Sequence, residues 1–204
     1  MAEDFIGMQT RIRRELNRTG MTADIRDFIV DAIKYYEGDR YEFNEDSATA
    51  STVTGDPFVS APAGFLAIDN IKLVAGGVER RLREEDAITL DNRRESTAEP
   101  TDYAIYKNAI RLHPVPDQVY ELRILHHRTL PEISASASDG AINAWMTAAG
   151  TLIRTKAKEY LYDHKLRNYK AGQTMRGLAE IEWSRLVKKS RRKTGRGRII
   201  AMRF

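Results

Sequence analysis

Apolar residues recur at helical spacing at both ends of the chain. A first stripe runs over residues 5–16 and stops before Gly20. Thr22 is a suitable N-cap for a second helix, which Gly38 ends. The apolar face of this second helix comprises Ile25, Phe28, Ile29, Ala32, Ile33 and Tyr36. The spacing therefore predicts two helices within residues 4–38, and Asp24, Asp27 and Asp31 fall on the opposite, solvated face.

Helical periodicity returns near residue 140. Asp139 is a candidate cap for a helix over residues 141–164, and a second helix is expected over residues 173–189. Trp145 lies in the apolar stripe of the first helix and Trp183 in that of the second. We interpret both tryptophans as core or interface anchors.

The middle of the chain, residues 41–130, has the signature of strands and turns. Gly76-Gly77 separates two β-compatible runs, and Lys107-Asn108 separates two more, so each pair predicts a hairpin. A further strand with alternating character begins at Val119. Residues 84–95 favour a short helix between the two hairpins.

These elements predict an α+β fold. The N- and C-terminal helices, at about 4–38 and 140–189, form a helical bundle, and residues 41–130 form a β-rich insertion of hairpins. Residues 1–187 then make a single domain, followed by an extended basic tail over residues 188–204.

The charge distribution sets this tail apart. The chain carries 33 basic and 29 acidic residues, but eight of the basic residues and none of the acidic ones lie after residue 187. The preceding part is therefore mildly acidic, with a net charge of −4. The residues assigned to this tail are Lys188, Lys189, Arg191, Arg192, Lys193, Arg196, Arg198, Ile199, Ile200, Met202, Arg203 and Phe204.

Two functions and one structural alternative suit such a tail. Its cations can neutralise phosphates, as a nucleic-acid-binding arm does, although aromatic residues for base stacking are not interleaved with them. The apolar end, residues 199–204, instead favours docking into a groove or onto a sheet edge of an acidic partner. The third interpretation is that the tail is a solvated segment without a partner.

Composition and motifs argue against several classes of function. The chain has no cysteine, which excludes disulfides and thiolate metal sites, and no apolar run long enough to span a membrane. The N-terminal residues lack a secretory signal pattern, so we expect a soluble protein made inside the cell. Phosphate-binding, zinc-protease and serine-hydrolase motifs are missing, and the four histidines are poorly placed for a metal. We expect no enzyme activity, no cofactor and no metal.

The central segment resembles a known family. Residues 62–69 (PAGFLAID), 102–117 (DYAIYKNAIRLHPVPD) and 120–124 (YELRI), followed by Asn143-Ala144-Trp145, match the head-to-tail adaptor, or connector, proteins of tailed bacteriophages in order and spacing. Two features depart from the pattern, namely the pair His126-His127 and a polar loop over residues 46–59. The matching structural positions are Pro62, Gly64, Phe65, Leu66, Tyr103, Asn108, Pro114, Pro116, Asp117 and Trp145.

This resemblance implies a structural protein of the virion neck, assembled in the host cytoplasm. It implies a homo-oligomeric ring, commonly dodecameric, beneath the portal protein and above a tail or nozzle protein. Genomic DNA would pass through the ring during ejection without sequence-specific binding. In such adaptors the C-terminal segment reaches the portal, which agrees with the docking interpretation of residues 188–204.

Overall fold

The computed structural model describes residues 4–130 and 143–193, which divide into two compact units. The helical unit combines residues up to Asn44 with those from Leu130 onward, and the β unit comprises residues 45–129. The described residues contain six α-helices and eight strands, so the predicted α+β class is confirmed. In chain order the elements are α1 (Phe5–Leu16), α2 (Thr22–Tyr36), β1 (Glu45–Ser51), β2 (Phe58–Ser60), β3 (Phe65–Ala75), β4 (Val78–Arg81), β5 (Arg83–Glu84), α3 (Ala87–Asp91), β6 (Asp102–Tyr106), β7 (Ala109–His113), β8 (Glu121–Arg128), α4 (Ala144–Ala148), α5 (Gly150–Tyr160) and α6 (Tyr169–Lys193).

The two predicted N-terminal helices are present. The carboxylate of Asp4 caps α1 by accepting a hydrogen bond of 2.6 Å from the Gly7 amide. Asn17 ends the same helix in the left-handed conformation, with a φ of 49°. Helix α2 begins at Thr22, but its N-cap is Met21, which makes no side-chain capping bond.

The helical unit is organised around α5, which packs against α1, α2, α4 and α6. One apolar cluster joins buried residues from these helices. Trp145 is 1% exposed and meets the rings of Tyr41 and Phe43 edge-on, at centroid distances of 5.2 and 5.0 Å. These aromatic contacts connect α4 to the short 3₁₀ turn Glu42–Asn44, and Trp145 is therefore a core anchor, as predicted.

The helix predicted over residues 141–164 is interrupted. The described part begins at Ala144, and Asn143 is the N-cap because its side-chain oxygen accepts a hydrogen bond from the Met146 amide. Asp139 lies outside the described residues. The backbone leaves helical geometry at Ala149, between α4 and α5, and a π-helical turn over Leu161–Lys165 follows α5.

The last helix is longer than predicted at both ends. Helix α6 runs over Tyr169–Lys193, whereas the sequence indicated residues 173–189. The first six residues of the predicted extended tail, residues 188–193, are therefore helical. Lysine and arginine have good helix propensity, and cations are favourable in the last turn of a helix, which explains the extension.

The β unit contains two four-stranded sheets. One has the order β1-β8-β3-β4 and the other β2-β7-β6-β5. Both predicted hairpins are present, one between β3 and β4 and one between β6 and β7. Their turns use left-handed residues, with φ of 56° and 81° at Gly76 and Gly77 and of 55° at Lys107. The short helix predicted between the hairpins is α3.

The region expected to be a polar loop contains an edge strand. Strand β1 covers Glu45–Ser51 and pairs antiparallel with β8 along its whole length. An edge strand with one solvent-facing side needs few apolar residues, which explains why the composition of this segment resembles a loop. The interior of the β unit is apolar and includes Ile71, Leu73, Leu122 and Ile124.

The close approach of α6 to the preceding turn depends on a glycine. A Cβ atom at Gly172 would overlap the Asp163 carboxylate and lie 2.8 Å from its Cγ. Gly172→Ala must therefore turn the Asp163 carboxylate away at the expense of its pairing with Arg176. We expect this to cancel the gain in helix propensity and to leave a net loss of up to about 1 kcal/mol in the free energy of unfolding. Urea denaturation followed by tryptophan fluorescence measures this loss, because both tryptophans lie in the helical unit.

Gly177→Ala is the matched control for this prediction. The same substitution, five residues later in α6, places its Cβ in open space. Alanine is a better helix former than glycine, so we expect Gly177→Ala to stabilise the protein by about 0.5–1 kcal/mol. Equal effects at the two positions would contradict the role assigned to the contact between Gly172 and Asp163.

Candidate interaction surface

The C-terminal half of α6 carries a strong concentration of positive charge. After Glu182 the helix contains six basic residues and no acidic one. Arg185 pairs with Glu182, and Lys193 pairs with Glu42 at 2.7 Å. Three further cations, Lys188, Lys189 and Arg192, are exposed and have no ion-pair partner within residues 4–130 and 143–193. A partner with negative charge can therefore bind them without breaking a contact inside this unit.

This basic end is held by packing as well as by charge. Leu186 is 8% exposed and Ser190 3%, and both face inward. The Ser190 hydroxyl has no hydrogen-bond partner in the part of the chain that the structure describes. Together with the bond between Lys193 and Glu42, this burial fixes the direction in which α6 ends. The predicted tail residues from Arg196 to Phe204 lie outside the described residues.

Two cavities beside α6 in the helical unit share Asp39 and Trp183 in their linings. Trp183 donates a hydrogen bond of 3.0 Å from Nε1 to Oδ2 of Asp39, and the hydroxyl of Tyr41 donates one of 3.3 Å to the same oxygen. Burial raises the pKa of Tyr41, and the neighbouring Asp39 carboxylate raises it further. One cavity, of about 340 Å³, is lined by Asp39, Arg40, Tyr41, Trp183, Val187, Ser190 and Arg191. The other, of about 570 Å³, is lined by Tyr35, Tyr36, Asp39, Glu180, Trp183 and Ser184.

A buried charge network ties α5 to α6. Glu159 is 2% exposed and accepts from the Lys156 ammonium at 3.1 and 3.0 Å, with one bond to each carboxylate oxygen. The Arg176 guanidinium donates to Glu159 at 2.9 Å and to Asp163 at 3.1 Å. The hydrogen bond and the charge of Glu159 raise the pKa of Arg176. The Lys156 ammonium also lies 4.1 Å from the ring centroid of Tyr35.

The sequence did not single out this network. Its one local signal is the spacing of three residues between Lys156 and Glu159, which places both side chains on one face of a helix. The same spacing is common in solvated helices, and Arg176 joins only because α6 folds back on α5. We assign the network a structural role, since its two cations and two carboxylates satisfy one another.

The β unit has its own buried carboxylate, Asp102 at the start of β6. It is 3% exposed and accepts from Arg83 Nε at 2.7 Å, from Arg93 at 2.8 Å and from the Thr101 hydroxyl at 3.1 Å. Burial acts to raise the pKa of Asp102, but the hydrogen bonds from Arg83, Thr101 and Arg93 outweigh it. The pKa therefore lies below its ordinary value.

This lowered pKa makes the stability of the β unit depend on pH. An aspartate whose pKa is lower when folded stabilises the protein above its unfolded pKa of about 3.9, and the contribution is lost as the pH falls through the folded pKa. We expect Asp102→Asn to lower the free energy of unfolding at pH 7 and to matter progressively less below about pH 3.9. Urea denaturation followed by circular dichroism at several pH values tests this.

Glu121→Gln is the control for the pH series, because Glu121 pairs with Arg123 at the surface, where an ion pair contributes little. A difference between wild type and Asp102→Asn that stayed constant down to the acid limit would contradict the assignment.

The residues that match the family motif do not converge on one site. Trp145 belongs to the helical core and the other nine to the β unit. They act at separate turns and strand ends: Gly64 has a φ of 66°, and Asp117 accepts a hydrogen bond of 2.6 Å from the Tyr120 hydroxyl. Pro62 and Gly64 precede β3, Phe65 and Leu66 begin it, Tyr103 lies in β6, Asn108 in the following turn, and Pro114, Pro116 and Asp117 between β7 and β8.

The β unit also presents an exposed apolar patch. Phe58, Ile88 and Tyr106 are 44%, 72% and 52% exposed and surround a cleft of about 310 Å³. Arg111 lies over the Phe58 ring, with its guanidinium carbon 6.0 Å from the centroid, and pairs with Asp91. Clustered apolar side chains of this kind are typical of protein contact surfaces.

Within residues 4–130 and 143–193, no three histidine, aspartate or glutamate side chains are grouped so that they could hold a metal ion. None of the helices in those ranges is long and apolar enough to cross a membrane.

Comparison with protein families gives a match over most of the chain. A family model described as SU10 adaptor protein matches residues 4–199, which includes the helical unit, the β unit and the basic end of α6. The search of curated proteins found no match.

Proposed function

We propose that this chain, which belongs to the SU10 adaptor protein family, forms a ring beneath the portal of a tailed phage and links the head to the tail. The family is one of structural phage adaptors and not of enzymes. The observation that carries the proposal is the extent of the match, which covers both units and reaches residue 199. The ring is dodecameric in this proposal, it lies in the virion neck, and a tail or nozzle protein binds below it.

The basic end of the chain contacts the portal in this proposal. Helix α6 ends in a fixed direction, because Lys193 is held by Glu42 and Ser190 is buried. Residues 194–204 continue from that end with three arginines and an apolar run. Residues 188–193 direct this segment and add to its positive charge, while the apolar residues from Ile199 onward bind an apolar groove on the portal.

Symmetry makes weak individual contacts sufficient. When one segment of a ring has bound, the others face their sites at a high effective concentration, and the avidity exceeds the affinity of one segment. The part of the chain before residue 188 has a net charge of −4, so a channel lined by it repels DNA rather than retaining it. DNA then passes through the ring during ejection without specific binding.

The alternative is a nucleic-acid-binding protein that uses the same basic segment. The observation that favours it is that Lys188, Lys189 and Arg192 have no ion-pair partner among the residues that the structure describes, and they are as well suited to phosphates as to carboxylates. Electrostatic binding to DNA weakens steeply with salt, whereas a docked apolar segment does not depend on salt in this way.

Binding to immobilised portal rings and to double-stranded DNA, measured over a series of salt concentrations, separates the two functions. We expect the protein to bind portal rings at a salt concentration that has removed it from DNA. Salt-sensitive DNA binding without portal binding would overturn the adaptor proposal in favour of the alternative.

A further inference from the structure

Helix α2 presents an acidic stripe that is not neutralised within its own unit. Asp27 and Asp31 are one helical turn apart, exposed, and without an ion-pair partner in the described parts of the chain. Asp24, by contrast, pairs with Lys165 at 2.7 Å. One turn beyond Asp31 the stripe ends in Tyr35, whose side chain is 62% exposed. We call Asp27, Asp31 and Tyr35 the α2 stripe.

Helix α6 presents a stripe of the opposite character on its outward side. Leu178 and Ile181 are 46% and 50% exposed, although they are large apolar residues. Lys188 and Arg192 follow at spacings of seven and four residues, which keeps them on the same side of the helix. We call Leu178, Ile181, Lys188 and Arg192 the α6 stripe. The buried residues Ala179, Leu186 and Ser190 occupy the other side.

The two stripes match in spacing when their helices run antiparallel. At a rise of 1.5 Å per residue, Asp27 and Tyr35 are about 12 Å apart along α2, and Ile181 and Lys188 about 10.5 Å apart along α6. Tyr35 placed against Ile181 therefore brings Asp27 near Lys188. In the same register Asp31 comes within reach of Arg185, which pairs with Glu182 in its own chain. The aromatic ring then covers apolar surface, and each carboxylate lies near a cation.

A contact of each stripe with itself is unfavourable. Two α2 stripes related by a two-fold axis bring unpaired carboxylates together, and two α6 stripes bring together a surface with an excess of cations. We infer that the α2 stripe of one copy packs against the α6 stripe of the next copy. This inference rests on the proposed ring and names the surfaces that build it, since a contact between unlike faces propagates from copy to copy, as a ring requires.

In this arrangement the residues of the basic segment bind two different partners. Lys188 and Arg192, on the outward side of α6, bind the neighbouring copy. The residues after Lys193 remain for the portal. Assembly of the ring and docking of the ring are then separable by mutation, although both depend on cations that are close together in sequence.

Site-specific cross-linking tests the contact directly, because the chain has no cysteine of its own. The single variants Asp27→Cys and Lys188→Cys are mixed in equal amounts and treated with a short bismaleimide, alone at high concentration and on portal rings. We expect dimers that link one variant to the other. The variants treated separately serve as controls, and we expect no dimer from either.

Charge reversal supplies the energetic test. The pair Asp27→Lys with Asp31→Lys, and the pair Lys188→Glu with Arg192→Glu, are each expected to weaken self-association about tenfold or more, which corresponds to about 1.4 kcal/mol. Mixing the two reversed proteins is expected to restore association, because each altered stripe then meets a complementary one. Arg13→Glu with Arg14→Glu makes the same change in net charge as Lys188→Glu with Arg192→Glu, but on α1, and is expected to have little effect.

The outcomes distinguish this inference from the proposed function. Dimers of Asp27→Cys with itself would show a two-fold contact and overturn the inference. Wild-type protein that fills portal rings, with no cross-link between the variants, would also overturn it but leave the adaptor function in place. A cross-link between the variants without any portal binding would support the contact and refute the portal proposal. If neither the cross-link nor portal binding is observed, the contact and the portal proposal are both refuted.

Discussion

Replacing Glu159 by alanine is expected to destabilise the helical unit by about 3–5 kcal/mol, because it leaves the buried Lys156 ammonium without its carboxylate. Lys156 is 6% exposed and Glu159 2%. The rings of Tyr35 and Tyr160 remain beside the ammonium, at 4.1 and 4.8 Å, but they cannot replace a full negative charge. Urea denaturation followed by tryptophan fluorescence measures the loss, which is a large part of the stability of an ordinary domain.

Two variants make this prediction specific. Glu182→Ala removes a carboxylate from a surface pair with Arg185, and we expect it to cost less than about 1 kcal/mol. The double variant Lys156→Met with Glu159→Leu removes both buried charges and keeps apolar volume, so we expect it to be nearly neutral or stabilising. A cost for Glu159→Ala no greater than that for Glu182→Ala would contradict the account of the network.

Under the proposed function, ending the chain after Lys193 is expected to lower the avidity of the ring for the portal about a hundredfold, because every copy loses at once the segment proposed to dock. The chain is shortened after Lys193 rather than after Val187, where the tail predicted from the sequence begins. The earlier cut also removes the bond between Lys193 and Glu42 and the buried Ser190, and so disturbs the helical unit itself. Surface plasmon resonance on immobilised portal rings measures the difference.

Two full-length variants separate charge from apolar contact in this segment. One replaces Arg196, Arg198 and Arg203 by serine, and the other replaces Ile199, Ile200 and Met202 by serine. We expect the first to weaken portal binding mainly at low salt and the second at all salt concentrations. Unchanged avidity of the shortened chain would refute the docking role of residues 194–204, whatever the behaviour of the two variants.

Local sequence signals were sufficient to predict much of the fold. The hairpin turns at Gly76-Gly77 and Lys107-Asn108 need left-handed residues, and such residues are visible in a sequence. The apolar stripes of α1 and α2 are equally local. The sequence could not reveal strand β1, because its role as an edge strand depends on pairing with β8, about 75 residues later.

The end of α6 and the buried charges could not be predicted either, because both depend on residues that are distant in the sequence. Residues 188–193 look like the start of a solvated tail, and their helical conformation depends on the helix before them and on the distant Glu42. Glu159 is indistinguishable in sequence from a surface glutamate until α6 brings Arg176 to it. The basic charge of the candidate surface was predictable from composition, whereas the outward position of Leu178 and Ile181 required the packing of α6.

The mass of the assembly formed with portal rings tests the central claim most directly. Native mass spectrometry or light scattering of the protein alone, of portal rings alone and of their mixture gives the number of copies bound to each ring. The adaptor account predicts a complex of fixed stoichiometry, with as many copies as one complete ring holds. Portal rings of unchanged mass, at protein concentrations that saturate binding to DNA, would contradict it.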